Sequence, residues 1–372
     1  MTTATRKAKT AGITLPAHEL KAALAAVSHA VPHRGPKPVL ANVRLGDGLL
    51  SGTDLEVRID VAVSYHGDAM LLPHQRLTAI LNAAGGDEVT LTPDGARCVV
   101  RCGSGTWTLP TEDAAEFPTW EPESLKPRTQ HPAEQLAHAI RSVLVAADTE
   151  SSRYALGAVL IEVATGGKVS FVATDGRRLH LAEIENAVNL DPSVTLLPAR
   201  AAGILYSLAT AGGQEMVEID ASDREVVCTC GGATLTARLT EGRFPKWRDV
   251  LPKDGGEPTS VMVADLLSAT TAAAIVTSEQ SRGVRYTFAE NGIHMQARSA
   301  EAGESSVTCE VQEAGHKCSV QLDPAFVREW LRGLPAGGDP VVTITAKDKA
   351  SAVILRSDDT YTGVIMPLDP EA

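Results

Sequence analysis

Apolar residues recur at helical spacing in some segments of the chain and alternate with polar residues in others. Near the start, Leu20, Leu24 and Val27 are separated by three or four positions, which predicts an amphipathic helix. Around residues 88–102, apolar and polar residues alternate on both sides of a Pro-Asp-Gly sequence, which predicts two strands joined by a turn. The chain is therefore predicted to combine helices with antiparallel strands.

The same order of elements recurs three times. A short hydrophobic segment that ends in a proline and is followed by a helical pattern, which we call a hydrophobic-Pro step, occurs three times. Its prolines are Pro73, Pro198 and Pro324, which are 125 and 126 residues apart. Each of these helices is followed by a glycine pair and paired strands. A further helix and further strands precede each of them. Each repeat is therefore predicted to contain a helix, strands, a second helix and more strands.

The repeat of about 125 residues has the length of a whole domain and is too long for a solenoid unit. Charged, proline-rich stretches separate the repeats, so we place three domains at 1–127, 128–254 and 255–372. The predicted fold class is α+β, with three similar domains that each contain two helices and antiparallel sheets. Such an array is typical of a scaffold or a ring rather than of an enzyme with a single site.

Composition and charge narrow the functional classes. The formal net charge of −12 argues against a surface covered in nucleic acid but allows a local basic lining. The sequence contains no run of 18 apolar residues that could span a membrane, and its N-terminus lacks the apolar core of a signal peptide. We therefore expect a cytoplasmic protein. The six cysteines lack zinc spacing and are expected to be small buried thiols. We expect neither a metal nor another cofactor.

A charged turn interrupts an apolar strand at residues 172–182, VATDGRRLHLA. It could belong to a catalytic site, a phosphate-binding loop or the rim of a binding pocket, or it could be a plain turn. Thr53-Asp54 in the first repeat precedes Thr174-Asp175 by 121 residues. We therefore interpret the Thr-Asp pair as turn chemistry, in which short polar side chains bond neighbouring backbone amides.

Two features occur only in the second repeat. The sequence Gly176-Arg177-Arg178 follows the Thr-Asp pair, and an Arg-Phe-Pro-Lys-Trp-Arg run lies at 243–248. Because the other repeats lack them, they are not needed for the common fold. We expect function to concentrate in these two segments.

An enzyme is the alternative from another functional class. Its site would combine Asp175, Arg178 and His180 at a cleft between domains. The sequence shows no serine or cysteine partner for His180, and it lacks the common phosphate-binding, metalloprotease and nucleophile-elbow motifs. We therefore expect a protein without a catalytic site of its own.

Several segments carry a resemblance to a known family. SRYALGAVLIEV, VATDGRRLHLA and EGRFPKWRDVLP, in this order and spacing, resemble the middle domain of the bacterial sliding clamp, the beta subunit of DNA polymerase III. PVLANVRL, SGTDLEVRI and EDAAEFP resemble its first domain, and SRGVRYTF with the terminal VIMPL resembles its third. The resemblance extends from about residue 11 to residue 368.

The resemblance implies a DNA sliding clamp. Two chains would join head to tail into a closed ring around duplex DNA. The ring would tether the replicative DNA polymerase, the clamp loader and other proteins with a clamp-binding motif. Sliding requires a diffuse positive lining and no base readout. A related clamp that serves repair or plasmid maintenance is the alternative that the sequence leaves open.

The resemblance also implies three sets of functional residues. The first set forms a groove for the hydrophobic anchors of a partner peptide: Leu156, Thr174, Gly176, Arg177, Arg178, Leu179, Pro245, Val250, Phe326, Val364, Met366, Pro367 and Leu368. The second set would contact DNA: Arg34, Lys37, Arg76, Arg153, Tyr154, Arg200 and Arg282. The third set would form the ring seam, where an edge of the first domain meets a helix of the third: Trp107, Leu109, Ile275 and Val276.

Four features depart from the family pattern. Asp249 occupies a position that is often basic, and Ala155 and Ser281 occupy positions that are often aromatic. An acidic tail follows Leu368. These departures concern the rim of the groove and one DNA contact, and they do not affect the expected fold.

Overall fold

The structure is a computed structural model of the 372-residue chain. It describes residues 12–32, 37–120, 125–148, 155–185, 192–211, 216–252, 256–278, 282–335, 340–358 and 360–368. Three of the predicted DNA-contacting residues lie outside these ranges: Arg34, Arg153 and Tyr154. Ser281 and the acidic tail after Leu368 also lie outside them.

Six longer helices and one short helix lie in the described ranges, and two longer helices fall in each predicted repeat. Five of the longer helices begin at or directly after a proline, and three of these prolines, Pro73, Pro198 and Pro324, are those of the predicted hydrophobic-Pro steps. Leu20, Leu24 and Val27 are all buried, which confirms the amphipathic first helix. The helices are α1 Ala17–Val27, α2 His74–Ala83, α3 Ala133–Leu144, α4 Ala199–Thr210, α5 Trp247–Val250, α6 Val263–Ala273 and α7 Pro324–Arg332.

The strands are short, and their buried and exposed positions alternate in many of them, as in the half-buried strands of antiparallel sheets. In chain order they are β1 Ile13–Pro16, β2 Asn42–Gly46, β3 Leu49–Thr53, β4 Val57–Ala62, β5 Met70–Pro73, β6 Glu88–Asp94, β7 Arg97–Cys102, β8 Gly105–Pro110, β9 Lys126–Pro132, β10 Ala158–Val163, β11 Lys168–Thr174, β12 Arg178–Glu185, β13 Ser193–Pro198, β14 Met216–Ala221, β15 Glu225–Cys230, β16 Ala233–Arg238, β17 Thr259–Met262, β18 Val284–Ala289, β19 Gly292–Ser299, β20 Gly303–Cys309, β21 Ser319–Leu322, β22 Val341–Thr345, β23 Val353–Ser357 and β24 Tyr361–Ile365.

The first of two compact units contains residues 1–127 and 211–238. One of its sheets has the order β1-β6-β7-β8, and the other runs β5-β2-β3-β4-β16-β15-β14. Within the larger sheet, β16 pairs antiparallel with β4, with Leu235 opposite Ile59. Strands of the second predicted domain therefore continue the sheet of the first.

The second unit contains residues 128–210 and 239–372. Its larger sheet has the order β13-β10-β11-β12-β24-β23-β22-β17, and its smaller sheet has the order β20-β19-β18-β21. Here β12 pairs antiparallel with β24, with Leu179 opposite Val364. This pairing joins the second predicted domain to the third and brings the charged turn next to the end of the chain.

The cysteines are free thiols, and five of them are buried while Cys318 is half-buried. Burial raises the pKa of the Cys98 thiol to about 11, and it raises the pKa of the Cys309 thiol to about 11 as well. These results confirm the expectation of small buried thiols. Within the described ranges, no group of three or more His, Cys, Asp or Glu side chains is placed to hold a metal ion. Among the helices described above, none is long and apolar enough to cross a membrane.

Candidate functional site

The charged turn between β11 and β12 is closed by its own side chains. Thr174 Oγ1 donates to the carbonyl of Arg178 at 2.5 Å and accepts from the amide of Gly176 at 3.1 Å. Asp175 Oδ1 accepts from the amides of Arg177 and Arg178 at 2.9 and 3.0 Å. Gly176 has a φ of +85°, in the region that favours glycine. The Asp175 carboxylate is therefore used by the turn.

The turn between β3 and β4 has the same set of hydrogen bonds. Thr53 Oγ1 donates to the carbonyl of Val57 at 2.8 Å and accepts from the amide of Leu55 at 3.1 Å. Asp54 Oδ1 accepts from the amides of Glu56 and Val57, at 3.0 and 2.9 Å. Leu55 has a φ of +84° at the position that glycine occupies in the second repeat. The interpretation of the Thr-Asp pair as turn chemistry shared by two repeats is confirmed.

The side chain of Arg178 is largely buried, with 10% of its surface exposed, and it connects several elements instead of lying at the exposed rim of a pocket. Its Nε donates to Asp175 at 3.0 Å and one terminal nitrogen pairs with Glu329 on α7. The other terminal nitrogen donates at 2.6 Å to the carbonyl of Val145, directly after α3. The guanidinium carbon also lies 4.3 Å from the centre of the Phe326 ring. Arg178 thus holds the turn against the end of α3 and against α7.

Next to this turn, the second unit contains a small pocket that we call the apolar pocket, with a volume of about 90 Å³. Its walls come from the turn, from the segment that contains α5 and from the end of β24. Leu179 and Val364 lie in its floor, and they belong to a packed core cluster. Nine residues of the predicted groove line it: Thr174, Gly176, Arg177, Arg178, Leu179, Pro245, Val250, Val364 and Met366.

The other four predicted groove residues do not line the apolar pocket. Leu156 is buried in the 3-10 turn Ala155–Gly157, and Phe326 is half-buried on α7. Pro367 and Leu368 follow β24, where the amide of Leu368 donates to the carbonyl of Gln321 at 2.8 Å. The binding role of the whole predicted set stays a prediction.

A second pocket of about 510 Å³, which we call the flanking pocket, lies in the same unit and shares Pro245 with the apolar pocket. It lies between the segment 242–249 and strands β10 and β13. Leu160 of β10 and Leu196 of β13 contribute apolar surface, and Val194 at its edge is 60% exposed. No sequence pattern predicted this pocket, although part of its wall is the Arg-Phe-Pro-Lys-Trp-Arg run that is specific to the second repeat.

Glu162 of β10 holds the segment that covers the flanking pocket. It accepts from Trp247 Nε1 at 3.0 Å and pairs with Arg248 at 2.8 Å. The Arg248 guanidinium stacks 4.0 Å above the ring of Trp247, whose side chain is buried. The short helix α5 is thereby fixed to the sheet.

The first repeat does not present the same apolar wall, because polar residues occupy the equivalent positions. Arg58 pairs with Asp60 at 2.7 Å, and Ser51 donates to Asp60 at 2.5 Å. The strand registers of the two repeats match, so their residues can be compared position by position. Four polar residues of the first repeat occupy the positions of four apolar residues of the second, in this order: Arg44, Ser51, Arg58 and Asp60 in the first, and Leu160, Val172, Leu179 and Leu181 in the second.

The alternative catalytic set is not assembled. His180 is fully buried, its Nδ1 lies 2.9 Å from the carbonyl of Ser142, and burial lowers the pKa of the imidazole to about 4. Because side chains alternate along β12, Leu179 and His180 lie on opposite faces of the sheet. Asp175 and Arg178 are used by the turn and its ion pairs. The histidine therefore lies in the core, away from the apolar pocket.

The described members of the predicted DNA-contacting set are exposed at element starts. Arg76 and Arg200 lie in the first turns of α2 and α4, the corresponding helices of the first two repeats, but at positions one residue apart. Lys37 precedes the 3-10 helix Pro38–Ala41, and Arg282 precedes β18 by two residues. Their DNA contacts stay a prediction.

The residues predicted for the ring seam differ in exposure. Trp107 is half-buried on β8, an edge strand of its sheet. Leu109, on the same strand, is buried opposite Cys98 within its own unit. Ile275 is 78% exposed and Val276 is half-buried in the 3-10 helix Ala274–Val276. An edge strand and an exposed isoleucine are features of contact surfaces, and the seam itself stays a prediction.

Three family models match consecutive parts of the chain. They describe the N-terminal, central and C-terminal domains of the DNA polymerase III beta subunit. In that order they match residues 12–121, 130–246 and 248–369.

Curated relatives and solved structures agree with these models. A beta sliding clamp of Streptomyces coelicolor is 29% identical and the match covers 94% of this chain and 96% of the relative. A beta sliding clamp of Salmonella typhimurium is 27% identical, with 89% and 92% covered. The crystal structure of a DNA polymerase sliding clamp from Pseudomonas aeruginosa superposes with a TM-score of 0.89 at 26% identity, and covers 96% of this chain and 99% of that one.

Proposed function

Because this chain belongs to the family of DNA polymerase III beta subunits, the bacterial sliding clamps, we propose that it is a DNA sliding clamp that acts in replication. The observation that carries this proposal is the match of all three domain models, in order, along nearly the whole chain. Two copies close into a head-to-tail ring around duplex DNA. The ring tethers the replicative DNA polymerase, the clamp loader and other proteins with a clamp-binding motif.

The apolar pocket is the proposed tether. A partner peptide inserts an apolar anchor side chain between Leu179, Val364 and Pro245, and burial of one such side chain stabilises the complex by about 1.5–3 kcal/mol. The cross-links of Arg178 hold the turn in place before the peptide arrives, which reduces the entropy cost of binding. No step in this function needs a reacting group, so the protein requires no catalytic site of its own.

The proposed interaction with DNA is electrostatic and weak at each contact. Arg76 and Arg200 offer charge at equivalent helix starts, and phosphates are the same in every sequence. Tight base contacts would stop a ring from sliding. The net charge of −12 belongs to the chain as a whole and disfavours binding of DNA to the remaining surface.

Retention on closed DNA tests the ring. The purified protein, loaded by its clamp loader onto a nicked circular plasmid, should remain bound during gel filtration and should be lost within minutes after a single cut linearises the plasmid. Equal retention on circular and linear DNA would contradict the proposal. Depletion of the protein in the cell, followed by measurement of the replication fork rate, distinguishes a replicative clamp from one that serves repair or plasmid maintenance.

A further inference from the structure

The two pockets adjoin each other at one residue. They share Pro245 as a common wall. Leu160, which lines the flanking pocket, packs in the same core cluster as Leu179 and Val364, which line the apolar pocket. A peptide seated in the apolar pocket therefore has a further concave surface beside it.

The flanking pocket is apolar at its centre. Leu160 is buried and Leu196 and Phe244 are half-buried in its wall. Three of the exposed large apolar side chains in the described ranges lie along the two pockets: Val194, Val250 and Met366. Exposed apolar residues that line adjoining hollows are typical of a binding surface.

The rim of the flanking pocket carries excess positive charge. Arg248 is neutralised by Glu162, whereas Arg243 and Lys246 are exposed and have no ion pair among the described residues. Asp249 is exposed as well, and it also has no ion pair among the described residues. Two cations thus face one anion, an arrangement that favours carboxylates in a ligand.

We propose that the flanking pocket binds the residues next to the anchors of the partner peptide, and that it selects an apolar side chain adjoined by carboxylates. This proposal rests on the proposed function, because it requires a peptide in the apolar pocket. An anchor side chain seated in the small apolar pocket leaves the larger flanking pocket, of about 510 Å³, open beside it. The sequence Glu-Leu-Glu has the required chemistry: the leucine contacts Leu160 and Leu196, and the glutamates lie near Arg243 and Lys246.

Matched peptides test the preference. The probe is a hexapeptide with Leu and Phe as anchors, used alone and extended by Glu-Leu-Glu or Lys-Leu-Lys at either end, with affinities measured by isothermal titration calorimetry. At one end, the Glu-Leu-Glu extension should tighten binding to the wild-type protein about tenfold, which corresponds to about 1.4 kcal/mol. The Lys-Leu-Lys extension should give no gain.

The double variant Arg243→Glu/Lys246→Glu should reverse this preference and bind the unextended hexapeptide unchanged. Both positions are exposed, so the variant should keep the fold, which thermal unfolding checks. Arg97→Glu/Arg101→Glu is the matched control, because it changes the charge equally at exposed positions of β7 that line neither pocket. It should bind every peptide as the wild type does.

Two results would overturn the proposal. If the wild type binds the extended and unextended hexapeptides equally at both ends, the flanking pocket has no role while the proposed function stands. If the unextended hexapeptide fails to bind, or binds Val250→Asp as tightly as the wild type, the tether proposed at the apolar pocket fails and this inference fails with it.

Discussion

Arg178 shows how one side chain can serve both fold and site. Its partners are Asp175 in its own turn, Glu329 on α7 and the carbonyl of Val145. A buried cation needs such partners, since its charge would otherwise lack the water that stabilises it. The price in desolvation is offset by three polar contacts, and the result is a turn that presents Thr174 and Leu179 to the apolar pocket in a fixed position.

Gly176 is the residue whose backbone conformation the turn requires. A Cβ added there would touch no other group within 4 Å, so only the φ of +85° opposes a larger residue. We expect Gly176→Ala to lower the free energy of unfolding by about 1 kcal/mol, measured by urea denaturation.

Gly85→Ala is the matched control for this change. A Cβ at Gly85 also meets nothing within 4 Å, but its backbone does not have a positive φ in the glycine-favouring region. The control should therefore be neutral or slightly stabilising, because alanine restricts the unfolded chain. Equal effects of the two substitutions would show that the turn does not depend on the left-handed conformation.

Among the larger elements, the end of the chain forms one wall of the site. The amide of Met366 donates to the carbonyl of Arg177 at 2.8 Å, and the amide of Leu368 donates to that of Gln321 at 2.8 Å. The first bond continues the pairing of β24 with β12 beyond Ile365, and the second ties the following residues to β21. Met366, the residue after β24, therefore completes the lining of the pocket.

Deletion of residues 366–372 should remove this wall and weaken binding of an anchor peptide at least about 100-fold, because apolar contact is lost along one whole side. Fluorescence anisotropy with a labelled peptide measures the loss, and analytical ultracentrifugation should show an unchanged dimer.

A shorter deletion, of residues 369–372, is the control for this experiment. It leaves all nine residues that line the apolar pocket in place, so peptide affinity should stay within about twofold of the wild type. Unchanged affinity in the longer deletion would mean that the peptide binds elsewhere.

The repeats show how one strand arrangement supports two different surfaces. Strands β2 to β4 and β10 to β12 have the same registers, yet the first set carries Arg58 and Asp60 where the second carries Leu179 and Leu181. The hydrogen bonds of a sheet join backbone groups, and side chains project from its faces, so one strand register can carry different side chains. The fold could therefore be repeated while the apolar wall was formed in the second repeat and not in the first.

Over the molecule as a whole, sheets run across the predicted domain boundaries. The pairing of β4 with β16, and of β12 with β24, places strands of neighbouring predicted domains in common sheets. Each of these joins is made of backbone hydrogen bonds, which are obligatory in a buried sheet. Neighbouring domains are therefore expected to lose structure together and not one at a time.

The stability of this fold should fall in mild acid. Burial lowers the pKa of His131 to about 4 and that of His180 to about 4. The unfolded chain, with histidine near 6.5, binds more protons between these values, so stability is complete above about pH 6.5 and declines as pH falls toward 4. Each histidine should cost about 2 kcal/mol at pH 5, measured by urea denaturation at pH 7.5 and pH 5.

Replacement of single histidines checks the origin of this acid sensitivity. His131→Gln should reduce the difference between pH 7.5 and pH 5 by about 2 kcal/mol, even if it lowers stability at both. His66→Gln, at an exposed position, is the control and should leave the difference unchanged. Equal stability of the wild-type protein at the two pH values would exclude these buried histidines as the cause.

Local chemistry explains what could be predicted from the sequence. The Thr-Asp turns, the helices that begin at prolines and the buried face of α1 depend on neighbours within a few positions. The groove residues followed from a family resemblance, and nine of them line one pocket. The turns and helices depended on patterns that are complete within a short stretch of chain, whereas the groove, whose residues come from the second and third repeats, depended on the resemblance.

Long-range packing decided the rest. Arg178 pairs with Glu329, which is 151 residues away, and Trp247 bonds to Glu162, which is 85 residues away. No spacing rule connects such partners, because the sheet order and not the chain brings them together. For the same reason the flanking pocket, built from β10, β13 and the segment 242–249, could not be recognised in the sequence. Sequence patterns predict structure that depends on residues close together in the chain, whereas the walls of a pocket come from residues that are far apart in the chain.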